Sequence, residues 1–106
     1  MAQFMVVHTM KKGLEEYAAF ATPERMAALA KSMAAGQTPA KCIKTWDSMN
    51  YGQTDYTFCL WEGASPAEVQ ATLDATGLLE YITADIRQVD ETDWAIIAQA
   101  AGYARP

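Results

Sequence analysis

Few side chains in this sequence can move a proton or hold a metal, and they are scattered along the chain. His8 is the only histidine, and so the only side chain whose ordinary pKa suits proton transfer near neutral pH. Asp85 and Arg87 stand two residues apart, which in a strand puts both on one face. If His8 faces a cavity it could act as a base, with Asp85 and Arg87 orienting a substrate. A hydrogen-bonded histidine and an ordinary ion pair are the plainer readings of the same residues. A metal site would draw on His8, Cys59 and Glu62, with Cys42, Asp85 and the methionines as further donors. No C-x-x-C, H-x-x-x-H or paired-carboxylate spacing supports one. Trp46, Tyr56 and Tyr81 could wall a pocket for a small aromatic molecule, though large aromatics serve packing equally well.

These residues must be positioned by elements that the sequence announces with uneven clarity. Lys41–Glu62 reads as two strands, about Lys41–Met49 and Thr54–Trp61, joined by a turn at Asn50-Tyr51-Gly52-Gln53, where Asn and Gly tolerate positive φ. In the first of them strict alternation puts Cys42, Lys44, Trp46 and Ser48 on one face, and Ile43, Thr45, Asp47 and Met49 on the other. In the second, Tyr56, Phe58 and Leu60 oppose Thr57, Cys59 and Trp61. An apolar first strand is expected over Gln3–Met10, then a helical turn over Leu14–Phe20. Thr22-Pro23 starts a helix whose Met26, Leu29, Ala30, Met33 and Ala34 share one face, with Gly36 closing it. Ser65-Pro66-Ala67-Glu68 is a capping box with proline at the first helical position, and that second helix ends at Gly77. Glu80–Val89 reads as a fourth strand, its isoleucines under the helices, and a short amphipathic helix follows within Asp90–Ala101.

With 106 residues, 51% hydrophobic and 20% charged, the chain suits a single domain that buries roughly two thirds of its unfolded surface. A core over about residues 3–90 and a helical tail over about 91–106 are expected. The net charge of −5 and the scattered lysines and arginines argue against nucleic acid and anionic membranes as partners. The first thirteen residues carry only a short apolar run with no basic residues ahead of it, which suits neither a signal peptide nor a membrane span. A cytoplasmic location is expected, with both cysteines as free thiols.

The order strand, helix, strand, strand, helix, strand is that of a ferredoxin-like α+β domain: a four-stranded antiparallel sheet with two helices on one face. Its other face would carry Trp46, Tyr81, Asp85 and Arg87. Depending on register it would add either Phe4, Val6, His8 and Met10 or Met5, Val7 and Thr9. A patch of that size calls for cover, and a second copy of the chain, making a homodimer, is the simplest. The segment YTFCLWEGASPAEVQATLDATGL and the later ITADIRQV resemble an uncharacterised family of small bacterial proteins in the dimeric α+β barrel superfamily. Phe58, Cys59, Glu62, Pro66, Gly77 and Leu78 match the family's pattern, and Gly63 stands where the family has alanine. The resemblance implies a homodimeric barrel with a pocket between two facing sheets, and a binding or stress-related role. It also implies two alternatives: a cofactor-free oxygenase or isomerase acting on a small aromatic compound, or a transition-metal-binding protein, since some members are described as binding nickel. No cofactor is expected otherwise.

Overall fold

The computed structural model describes residues 1–102, and residues 103–106, the end of the expected tail, lie outside them. The chain forms β1 (Ala2–His8), α1 (Leu14–Phe20), α2 (Pro23–Ala34), β2 (Lys41–Ser48), β3 (Gln53–Gly63), α3 (Pro66–Thr76), β4 (Asp85–Val89) and α4 (Trp94–Ala100). The four strands make one sheet in the order β2-β3-β1-β4, and every pairing is antiparallel. Among the described residues no helix is long and apolar enough to cross a membrane.

Local signals set the helix boundaries. The Thr22 side chain accepts from the Arg25 amide at 3.2 Å and Ser65 Oγ from the Glu68 amide at 3.3 Å, each ahead of a proline. The reciprocal arm of the capping box is displaced by one residue, because Glu68 Oε2 accepts from the Ala64 amide at 2.7 Å. Gly77 leaves α3 at φ +77°, where a Cβ would stand 3.0 Å from the Phe20 ring, so both conformation and space favour glycine.

Register decides what each sheet face carries. Phe4 pairs with Trp61, Val6 with Cys59 and His8 with Thr57, so this side of β1 and β3 lies under the helices. Phe4 and Val6 pack there with Cys59, Trp61, and Val69 and Leu73 of α3, while Met33 of α2 and Ile86 of β4 close the edges. Fully burying each large apolar side chain stabilises by about 1.5–3 kcal/mol. The buried Thr72 hydroxyl donates to Glu68 O at 2.9 Å and accepts from the Ala40 amide at 3.0 Å. It thereby ties α3 to the loop that enters β2.

Three features depart from simple alternation. Between Cys42 and Lys44 the register of β2 shifts against β3, with Ile43 as the extra residue. The bulge puts Cys42, opposite Trp61, on the same side as Thr45, opposite Cys59, and leaves Lys44 and Trp46 on the reverse side. Second, β1 ends at His8, and Met10 adds only an isolated bridge to Ile82. Third, β4 begins at Asp85 and not at Glu80, because Leu78–Glu80 winds into a 3-10 turn. Tyr81 consequently leaves the sheet and stacks on Phe20 at 4.8 Å between centroids, with the Lys12 ammonium 4.8 Å over its ring.

Candidate functional site

The helices do not seal the sheet. No residue of α1 or α2 is buried, and a cavity of about 310 Å³ lies beneath them, running from His8 to the β2 edge. Its floor is His8, Thr45, Thr57, Cys59 and Trp61; its roof is Tyr17 of α1 with Met26, Leu29, Ala30 and Met33 of α2. The apolar stripe legible on α2 is thus mostly cavity roof. A volume of this size lies at the lower end of the range for small-molecule sites and suits a ligand of one or two rings.

Polar groups on the cavity wall are few and fixed. His8 is buried, and its Nδ1 lies 2.7 Å from the Thr83 carbonyl. A carbonyl only accepts, so Nδ1 carries the proton and Nε2 keeps its lone pair. Burial lowers the His8 pKa below its ordinary 6.5, against the smaller opposing pull of the Thr83 carbonyl. The imidazole is therefore a neutral hydrogen-bond acceptor. Trp61, 3% exposed, has an indole N–H with no partner among the described residues; leaving such a donor unmade costs about 1–3 kcal/mol. The Tyr17 hydroxyl resists ionisation, first through burial and then through Cys59 and Asp47.

His8 makes a testable contribution to stability. The unfolded imidazole takes up its proton around pH 6.5, whereas the folded one resists until lower pH. In that interval the unfolded state binds more protons, so stability is complete above pH 6.5 and falls as the pH drops below it. Urea midpoints measured at pH 7.5 and 5.5 should therefore show a larger acid loss in the native protein than in His8→Gln, whose amide can keep the bond to Thr83. Equal losses would show that His8 titrates alike in both states.

A second cluster occupies the β2 side of the cavity. The Thr45 hydroxyl contacts both thiols, lying 3.7 Å from Cys42 Sγ and 3.3 Å from Cys59 Sγ, and Met33 Sδ accepts from the Cys42 amide at 3.2 Å. Both cysteines are free. The neighbouring Cys59 thiol draws the Cys42 pKa down to about 7, against the cost of burial and with lesser help from Thr45 and the Lys44 backbone. The same neighbour, followed by burial, pushes the Cys59 pKa upward.

The residues singled out from the sequence fall on both sides of the sheet. His8 and Cys59 share the cavity. Asp85 and Arg87 lie on the opposite face with Val7 and Met5, paired to each other at 3.0 Å and exposed, so within one chain they do not meet His8. Glu62 pairs with Gln3 on that reverse face and lies 3.8 Å from Lys41, which removes it from the set with His8 and Cys59. Trp46 and Tyr56 stand exposed on the reverse face, whereas Tyr81 lies against Phe20. Among the described residues no group of three His, Cys, Asp or Glu side chains is placed to hold a metal ion. Sequence reasoning missed Tyr17, Thr45, Thr57 and the proximity of Met33 to Cys42. Only the bulge at Ile43 could have revealed the last, and it breaks no rule of composition.

Fold and cavity together define an α+β domain with a mainly apolar chamber between its sheet and its helices. No protein-family model, curated protein or solved structure matches the chain.

Proposed function

We propose that this chain is a small-molecule-binding domain whose site is the cavity between sheet and helices. The observation that carries the reading is an imidazole fixed as an acceptor on the wall of an apolar chamber. A neutral molecule of one or two aromatic rings with a hydroxyl fits it: its O–H donates to His8 Nε2. A charged ligand would meet the desolvation that keeps His8 neutral. His8 Nε2 also favours a second reading, a cofactor-free enzyme that takes a proton from such a hydroxyl.

The strand order β2-β3-β1-β4, with antiparallel pairing and α2 and α3 on one face, supports a ferredoxin-like reading of the domain. The exposed Trp46, Tyr56 and Phe58 on the reverse face support a homodimer closed sheet to sheet, as in the α+β barrels. Two free thiols suit a reducing, cytoplasmic setting.

2-Naphthol is a suitable probe. In a background carrying Trp46→Phe and Trp94→Phe, the remaining Trp61 reports on the cavity, and naphthol should change its emission saturably at one site per chain. Thr57→Phe fills the chamber from the strand side and should weaken binding at least tenfold while leaving the circular dichroism unchanged. No response at millimolar naphthol, or equal binding by Thr57→Phe, would reject the reading.

A further inference from the structure

Three sulfur ligands from three separate elements, α2, β2 and β3, line the β2 end of the cavity, and the residues beside them say what they would take. Cys42 and Cys59 touch one hydroxyl, and Met33 reaches the Cys42 backbone from α2. All three line the same chamber. We propose that Cys42, Cys59 and Met33 form a site for one soft monovalent metal ion, copper(I) being the case that biology supplies.

The choice of ion follows from the donors. Two thiolates and a thioether select soft ions, whereas carboxylates, carbonyls and water select hard ones. No Asp or Glu lines the cavity, and His8 is its sole imidazole, so nickel(II), zinc(II) and magnesium would find too few suitable ligands. Three-coordinate sulfur is a complete shell for copper(I), which has no call for the fourth ligand that zinc requires. Met10 and Met26 add thioethers to the same wall, an apolar path for an ion of this type.

The Thr45 hydroxyl, 3.7 Å from Cys42 Sγ and 3.3 Å from Cys59 Sγ, keeps the two thiols turned to one side of the chamber. Binding replaces the thiol protons, which pass to solvent, and moves no electron: copper enters and remains as copper(I).

The test is an anaerobic titration of the reduced full-length chain with copper(I) in competition with bicinchoninate. The chain should withdraw one copper per molecule from the chelator. Cys42→Ser and Cys59→Ser should each weaken binding at least a hundredfold, and Met33→Leu about tenfold, a loss of ~1.4 kcal/mol. Nickel(II) should not be retained through gel filtration. Failure to compete with bicinchoninate, or unchanged affinity in folded serine variants, would overturn the site. If the serine variants do not fold, X-ray absorption of the copper-loaded native protein decides: a shell of three sulfurs supports the site, and one dominated by nitrogen or oxygen rejects it. The sulfur cluster does not depend on the aromatic-ligand reading, since naphthol binding and copper binding are read separately and either can fail alone.

Discussion

Lysine at both position 46 and position 58 is expected to turn the proposed dimer into a well-folded monomer. Trp46 and Phe58 are direct cross-strand partners and are 48% and 41% exposed. Leu60, Met5 and Val7 continue the apolar surface across β3 and β1. The substitutions face away from Phe4, Val6 and Cys59, so they leave the packed side of the sheet untouched. In a sheet-to-sheet dimer each lysine would bury an uncompensated charge, which costs several kcal/mol, and would delete an aromatic anchor of the kind that dominates interfaces. Together these should raise the dissociation constant at least about 1000-fold, or ~4 kcal/mol. Analytical ultracentrifugation should show the native protein as a dimer at tens of micromolar and the double variant as a monomer with native circular dichroism. A native protein that sediments as a single subunit at that concentration would dispose of the dimer.

The second large effect belongs to the other side of the sheet. Phe4→Ala should destabilise by about 3–5 kcal/mol, the range for truncating a buried aromatic, because Phe4 is fully buried against Trp61, Val69 and Leu73. Domains of this kind have about 5–15 kcal/mol in total, so the melting temperature should fall by on the order of 20 °C. Ile96→Ala, at a residue 64% exposed on α4, should move stability by no more than about 0.5 kcal/mol. A loss under about 1 kcal/mol at Phe4 would mean that the interior is not centred on β1.

Much of this architecture was legible because its signals are local. Thr22-Pro23 and Ser65-Pro66 start helices where their side chains cap them, and Gly36 and Gly77 leave α2 and α3 at positive φ. The helical repeat puts Val69, Thr72, Leu73 and Thr76 on one face of α3, and the first three are its buried residues while Thr76, in the last turn, is only half-buried. What stayed hidden depends on partners far along the chain. His8 could face either way by its own sequence, and only pairing with Thr57 puts it beneath the helices. Tyr81 alternates correctly with its neighbours for a strand, yet stacking on Phe20, 61 positions earlier, holds it out of the sheet. The aromatic pocket expected between sheets drew on the reverse face, whereas the chamber enclosed within one chain drew on the face assigned to core. The reason is that α2 rests on the sheet through half-buried side chains and leaves space beneath it.

The extra residue at Ile43 is what lets Cys42 share a side with Thr45 although three positions separate them. Deleting that one position would remove the bulge and restore strict alternation through Lys41–Ser48 with Cys42 still beneath the helices, so the two thiols would stay together. Related chains could therefore be one residue shorter at this point and still keep the pair, with the edge strand straighter and less twisted.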